Sequence, residues 1–213
     1  MNEKKPQPES LSVFVVDDDS SVRDSLKILL ESFGFKAEAF ESASAFLNSD
    51  AVNARGCLVA DVRMPDMDGL ELQEELARRG KSLPTIIVTG HADVPLAVRA
   101  MKAGAIEFLE KPYNETALVE SVRRGLREAS AMGEERQKQE AASKRLATLT
   151  DREREVYELL VVGHPNKVIA FKLDISPRTV EIHRAHVMEK MQARNLAELI
   201  RMSLTEAGHA NPA

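Results

Sequence analysis

Leu11-Ser12-Val13-Phe14-Val15-Val16-Asp17-Asp18-Asp19 decides how the first half of this chain folds. The run at 11–16 is nearly all apolar and rich in valine, which is how a strand buried on both faces reads; a half-exposed strand would alternate. It stops abruptly at three carboxylates. Four more short apolar runs follow, at residues 36–40, 57–60, 84–88 and 106–109. Helix-length segments lie among them, at 20–33, 42–48, 69–79, 93–103 and 114–127. This regular alternation predicts an α/β doubly wound five-stranded parallel sheet, a fold that binds ligands outside the carboxyl ends of its strands.

Those strand ends carry the chemistry. Asp17, Asp18 and Asp19 follow the first run, Asp61 the third, Thr89 closes the fourth and Lys111 the fifth. In a parallel sheet all of them converge on one edge. Crowded carboxylates repel, so a positive charge belongs among them. A hard cation with oxygen ligands suits the place, and Mg²⁺ is the natural one because it keeps waters and recruits phosphate oxygens. Asp61, beside a metal and a lysine, is then a candidate phosphoryl acceptor. Taken singly, each residue has an ordinary reading. An Asp after a strand is usually a turn or a helix N-cap, as Asp19 is expected to be for the helix from Ser20, and Lys-Pro is usually a turn. Four strand ends agreeing is what points to a site.

At 213 residues the chain suits two domains of about 100–150 residues each. With 43% hydrophobic residues it has enough for ordinary cores, and it contains no apolar run of ~18 residues for a membrane span. Residues 1–10 are charged and contain proline, unlike a signal peptide or an anchor, so a cytoplasmic location is expected. The single cysteine, Cys57, sits in an apolar run, as a core thiol does in a reducing compartment. Charge is uneven. Residues 1–125 carry 15 Lys+Arg against 21 Asp+Glu, whereas residues 146–213 carry 9 of each.

The expected domains are residues 10–125, a helical or flexible linker at 126–146 rich in Ala, Glu, Gln, Lys and Arg, and a small all-α domain at 147–207. The last contains four helical patterns. Thr150 with Glu153 three residues on makes a capping box. The second pattern spans 166–173. Ser176-Pro177, an N-cap followed by proline at the first helical position, opens the third. Asn195 opens the fourth, with Glu198 at the box position. The second and third, joined by Asp174-Ile175-Ser176, fit a helix-turn-helix.

On the third helix, with Val180 at zero, Val187 falls near about 340° and Met191 near about 20°, a core stripe. Opposite lie Arg178, Glu181, Ile182, Ala185 and Glu189. That face suits a DNA major groove: a guanidinium near the helix start, a small Ala185 permitting close approach, Ile182 able to meet a thymine methyl, and Glu181 able to accept from cytosine N4. An exposed Glu seen alone is more often plain surface. A neutral domain is a mild argument against nucleic acid. Locally, however, residues 164–194 carry six Lys+Arg against three Asp+Glu, and the remaining acids lie mostly in the domain's first helix. Modest attraction per protomer predicts dimers on paired half-sites.

The first domain resembles the receivers of two-component response regulators. The motifs are Val16-Asp17-Asp18-Asp19, Asp61-Val62-Arg63-Met64-Pro65-Asp66-Met67-Asp68-Gly69, Val88-Thr89-Gly90 and Glu110-Lys111-Pro112. The resemblance implies that Asp61 is the phosphoacceptor and that Asp17 and Asp18, with Asp61 and the Arg63 carbonyl, hold Mg²⁺. It also implies that Thr89 bonds the phosphoryl group, that Lys111 pairs with it, and that the Lys111–Pro112 bond is cis. Phe108 stands where such proteins place a switch aromatic, though it could equally be plain core. The helix at 93–103 and the strand at 106–109 form the face that the family commonly uses for dimerisation, with Val94, Leu96 and Val98 as apolar candidates that could also be core.

The second domain resembles the LuxR/NarL-type helix-turn-helix through Leu149-Thr150-Asp151-Arg152-Glu153, Gly163, Asn166-Lys167-Val168-Ile169-Ala170 and Ile175-Ser176-Pro177-Arg178-Thr179-Val180-Glu181-Ile182-His183. This implies Lys167 as a phosphate contact, 176–191 as recognition helix and 195–203 as dimerisation helix. Thr179 and Lys190 join the candidate DNA contacts. Arg184 faces sideways and either grips phosphate or pairs internally with Glu153, while His183 borders the core. As a whole the chain resembles FixJ-type regulators, notably in Thr89-Gly90-His91-Ala92-Asp93-Val94-Pro95 and in Arg184-Ala185-His186-Val187-Met188-Glu189-Lys190-Met191. The implied partners are a sensor histidine kinase, a double-stranded DNA operator, RNA polymerase and a second copy of the chain on activation.

Two rival readings fare worse. A phosphatase with an aspartyl nucleophile wants a second acid two residues later, where this chain has Arg63, and wants a cap domain. An RNA-binding or protein-docking output would not need the tight Ile175-Ser176-Pro177 turn or an outward Ile182 beside Arg178.

Overall fold

The computed structural model describes residues 11–207, with side chains through Leu204. The expected domain start at residue 10 and the charged stretch 1–10 lie outside the described residues. The chain divides into two compact units, Met1–Gly133 and Glu134–Ala213.

The first unit is a five-stranded parallel sheet: β1 (Ser12–Val16), β2 (Lys36–Phe40), β3 (Gly56–Asp61), β4 (Thr85–Thr89) and β5 (Glu107–Glu110), in the order β2-β1-β3-β4-β5. The three inner strands are buried at every position, whereas the edge strands β2 and β5 are only partly covered. This is why β1, β3 and β4 read as unbroken apolar runs. Helices α1 (Ser20–Ser32), α2 (Ala43–Leu47), α3 (Gly69–Arg78), α4 (Val94–Lys102) and α5 (Glu115–Leu146) connect or follow the strands, with one 3₁₀ turn at Asp50–Asn53. Two apolar layers result. One holds Phe14, Phe46, Leu58, Leu72 and Ile87; the other holds Val13, Leu30, Cys57, Ile86 and Leu118. Cys57 is fully buried, and burial pushes its thiol up to about 12, so it is an inert core residue.

Chain order reverses between β1 and β3, the two neighbouring strands that end at Asp17 and Asp61. The carboxylates therefore stand at the topological switch point, where open α/β sheets form their crevice.

The helix expected at 114–127 continues without interruption to Leu146, 32 residues in all, so of the two forms expected at 126–146 the chain takes the helical one. The composition permits this, because Ala, Glu, Gln, Lys and Arg are good helix formers. The boundary between the two units falls inside this helix.

The second unit holds α6 (Asp151–Val161), α7 (Asn166–Leu173), α8 (Pro177–Met191) and α9 (Leu196–Ala207) around Val156, Tyr157, Leu160, Ile169, Val180, Val187, Met191 and Leu199. Thr150 and Glu153 form the capping box, and the Ser176 hydroxyl accepts from the Thr179 amide at 3.0 Å. Asp174, left-handed at φ 53°, turns the chain between α7 and α8, a conformation that Asp tolerates better than most residues. Asn195 accepts from the Glu198 amide, but the Glu198 carboxylate reaches back to the Arg194 amide, so this cap is not the reciprocal box expected.

Candidate functional site

The edge of the sheet gathers the residues that the sequence singled out. Asp17 and Asp61 are 2% and 8% exposed, so neither can disperse its charge into water. Lys111 supplies the balance. Its Nζ donates to Asp17 Oδ2 at 2.7 Å and to Asp61 Oδ1 at 3.1 Å. The other Asp61 oxygen accepts from the Arg63 amide at 3.0 Å, and Asp17 Oδ1 accepts from the Asp19 amide at 2.9 Å. Burial raises the Asp61 pKa, and the hydrogen bond and charge of Lys111 offset part of that rise. Burial also penalises the Lys111 ammonium, but hydrogen bonds and attraction from Asp17 and Asp61 outweigh the penalty and raise its pKa. A buried acid with one oxygen on an ammonium and the other on a backbone amide is oriented for reaction, and it is not locked into a closed network.

The backbone holds this arrangement. Lys111 N–H donates to the Thr89 carbonyl at 2.7 Å, which ties the ends of β4 and β5, and the Lys111–Pro112 peptide is cis. Thr89 is fully buried; its hydroxyl faces the His91 backbone at 3.3–3.4 Å, longer than a firm hydrogen bond. Asp18 is exposed at the mouth, and Asp19 caps α1 through the amides of Ser21 and Val22. Two further residues support the site, Arg23, which carries no signal in the sequence alone, and Gly69, which closes the motif from Asp61. Arg23 Nη1 donates to the Asp17 carbonyl at 2.8 Å and steadies the acidic loop. Gly69 packs so closely that a Cβ there would strike the Asp61 carbonyl oxygen.

Among the described residues, no three His, Cys, Asp or Glu side chains stand close enough together to hold a metal by themselves. Mg²⁺ does not need three. It binds through one or two carboxylates and fills its shell with waters and phosphate oxygens. Two buried carboxylates against one ammonium leave an uncompensated negative charge, with Asp18 beside them, and this donor set fits such an ion.

The other candidates separate into two groups. Phe108 is half-buried against the apolar layer that contains Ile87. On α4, Val94 and Val98 are 77% and 46% exposed, but Leu96 packs on the core and leaves the apolar surface set. Met101, which the sequence reading missed, is 51% exposed and completes a stripe at positions 94, 98 and 101. Ala97, Val98, Met101 and Lys102 line a shallow depression there.

On α8, Arg178, Glu181, Ile182, Ala185 and Glu189 are exposed, with Pro177 and His186 exposed beside them, and Val180, Val187 and Met191 are buried, as the angular reading predicts. Lys167 is exposed on α7. Thr179 is half-buried, with its hydroxyl 2.8 Å from Ser176 Oγ, so it serves the cap. Arg184 donates to Asn166 Oδ1 at 3.1 Å and makes no pair with Glu153. Lys190 is the residue that holds Glu153, at 2.6 Å, and it is therefore withdrawn from the DNA-facing set. The sequence places it among the candidate DNA contacts, whereas the fold brings a carboxylate to it from 37 residues away. His183 borders the core as expected, with a buried Nδ1 that has no hydrogen-bond partner among the described residues.

Comparison with known proteins agrees with both halves. The family described as response regulator receiver domain matches residues 13–123, and that described as bacterial regulatory proteins, luxR family, matches residues 147–203. The chain belongs to the two-component response regulators, in the class that joins a receiver to a LuxR-type DNA-binding domain and controls transcription. Within that class it is similar to the transcriptional regulatory protein FixJ of Azorhizobium caulinodans, 52% identical over 92% of this chain and 93% of that one. FixJ of Rhizobium meliloti is 47% identical over 91% and 95%. Among solved structures, the response regulator StyR matches with a TM-score of 0.79 and 44% identity over 92% of this chain and 98% of that one. Full-length FixJ from B. japonicum matches at 0.56 and 43%, over 94% and 99%.

Proposed function

We propose that Asp61 accepts a phosphoryl group from a sensor histidine kinase and that this modification governs DNA binding by the second unit. The observation that carries the reading is the Lys111 ammonium shared between Asp17 and Asp61 at the switch point. An Asp61 carboxylate oxygen attacks phosphorus, the bond from phosphorus to the donor nitrogen breaks, and the leaving imidazole keeps the electron pair. Asp17, Asp18, Asp61 and the Arg63 carbonyl would hold Mg²⁺, which supplies neutralisation of the charge on the transferring group. Lys111 then pairs with the new phosphoryl oxygens. Thr89, whose hydroxyl is held only by long contacts to the His91 backbone, turns toward them, and Phe108 moves into the space released. Such an element shifts only as far as its contacts differ between the two states.

The exposed stripe on α4 serves as the dimer face, through Val94, Val98 and Met101. Dimerisation sets two copies of α8 on paired half-sites of a double-stranded operator. Arg178, Glu181, Ile182 and Ala185 face the bases, and Lys167 and Arg184 face phosphates. RNA polymerase is the downstream partner, and the site of action is the bacterial cytoplasm. The chain modifies itself at Asp61 and turns over no substrate of its own. Residues 10–125 and 147–207 are the two functional domains.

Intact mass and sedimentation of wild type and Asp61→Asn, each with Mg²⁺ and acetyl phosphate, test the reading. One phosphoryl group on wild type alone, with a shift to dimer, is expected. Failure to phosphorylate with acetyl phosphate and again with a cognate kinase would overturn it.

A further inference from the structure

We infer that Glu153 is a positioning residue for DNA recognition, which sets α8 through Lys190 without touching DNA itself. The inference rests on α8 being the DNA-facing helix and adds the device that aims it. Glu153 is 4% exposed although it lies in the first turn of α6, where a capping glutamate is ordinarily wet. Its Oε2 accepts from Lys190 Nζ at 2.6 Å and from the Thr150 amide at 2.8 Å, and its Oε1 lies 3.5 Å from His186 Nδ1. Lys190 donates a second hydrogen bond to the Thr148 carbonyl at 3.2 Å. Lys190 stands in the last turn of α8, with His186 one turn earlier on the same face, so a single carboxylate fastens the end of the helix to the 148–150 turn and the start of α6.

Packing alone leaves this freedom open. The buried residues of α8 are Val180, Val187 and Met191, and apolar contact is non-directional, so it limits roll and slide of the helix only loosely. Charge-assisted hydrogen bonds are short and directional, and these act at the end of α8 opposite its Ser176 cap. The hydrogen bond from Lys190 holds the Glu153 carboxyl down at about 2, so the carboxylate stays ionised across physiological pH. Arg178, Glu181, Ile182 and Ala185 all project from the same rigid helix. A change of a few degrees in its roll shifts every one of them against the base edges at once.

Two readings of Lys190 give opposite signs. If Lys190 were a phosphate contact and Glu153 merely its surface neighbour, Glu153→Gln would remove a negative charge, free a cation and tighten binding to DNA. If Glu153 positions α8, the same change weakens binding. The experiment uses the full chain, phosphorylated with acetyl phosphate and Mg²⁺, and a duplex selected by the wild-type protein from a random-sequence library. An unselected duplex of equal length serves as reference. Circular dichroism establishes that each variant is fully folded at the temperature of measurement. Glu153→Gln and Lys190→Met are each expected to raise Kd for the selected duplex about tenfold, the scale of one lost specific contact. The effect on the unselected duplex should be much smaller. The salt slope should stay unchanged, and Lys190→Arg should restore most of the affinity. Equal or tighter binding by folded Glu153→Gln would overturn the inference. So would a salt slope lowered by about one in Lys190→Met, which marks a lost phosphate contact. Should wild type enrich no duplex at all, the DNA-binding reading itself falls, and this inference with it.

Discussion

Lys111 Nζ lies 3.1 Å from Asp61 Oδ1, so a residue 50 positions away in sequence provides the charge that makes a buried acceptor tolerable. The same ammonium is 2.7 Å from Asp17, which makes it a counter-ion for two carboxylates. Lys111→Met removes it and leaves two carboxylates repelling each other in a nearly dry site. Breaking such a pair costs about 3–5 kcal/mol when fully buried, and the partial exposure of Lys111 reduces the expected loss to about 2 kcal/mol. Mg²⁺ should recover more stability in the variant than in wild type, because the vacated charge raises the ion's affinity for the folded state. Calorimetry with and without Mg²⁺ checks both parts; an unaltered receiver transition in the variant would contradict them.

The sign of the pH effect follows from the raised Lys111 pKa. A cation whose folded pKa exceeds its unfolded value contributes fully below the unfolded value, about 10.4. That contribution fades only as pH rises through the higher folded one. The stability gap between wild type and Lys111→Met should therefore be flat from neutral pH to about 10 and narrow above it.

Gly133 yields a prediction that runs against helix propensity. It lies within the 32-residue α5, where replacing Gly by Ala ordinarily stabilises by about 1 kcal/mol. Here a Cβ would overlap the Arg55 guanidinium, which lies over the glycine and donates to the Ser130 carbonyl at 3.1 Å. Gly133→Ala should leave the protein no more stable, or less so, while the same change in an Arg55→Ala background should gain about 1 kcal/mol. Thermal unfolding of the four proteins gives the coupling. Simple additivity would mean that the Arg55 contact contributes nothing.

Arg55 and Gly133 also mark the limit of what sequence alone discloses. The inner strands were legible because burial on both faces leaves unbroken apolar runs, and the strand-end acids, threonine and lysine were legible because a parallel sheet must bring such ends together. Residues 128–145 offer no broad apolar stripe, so the sequence leaves helix and flexible chain both open there. Arg55, which donates to the Ser130 carbonyl, stands 75 residues earlier, where no local window contains it. Lys190 was misread for the same reason, since its partner Glu153 is remote in sequence. Leu96 and Met101 exchanged places because the α4 pattern is apolar on both sides, and only the packed structure separates core from surface.

The α4 stripe carries a prediction about assembly. Val94, Val98 and Met101 are large apolar residues left in water by the resting fold. In Val98→Asp, a charge would have to be buried at a dimer face, a cost of at least about 2 kcal/mol. Acetyl phosphate with Mg²⁺ should still add one phosphoryl group to this variant by intact mass, while sedimentation should stay monomeric. A variant that is phosphorylated and still dimerises would place the interface elsewhere.

On the DNA-facing side, Lys167 and Ala185 should fail in different ways when changed. Lys167 is exposed at the start of α7, and as a phosphate contact it adds affinity without reading sequence. Lys167→Ala should weaken selected and unselected duplexes alike and lower the salt slope by about one. Ala185 is exposed in the middle of α8, where a small side chain lets the helix approach the base edges. Ala185→Leu inserts bulk there without touching the core, so its thermal midpoint should match wild type. Its affinity for the selected duplex should drop about tenfold or more, with little change on the unselected one. Parallel titrations at three salt concentrations separate the two patterns. If Ala185→Leu binds the selected duplex as well as wild type does, α8 does not enter the groove by this face.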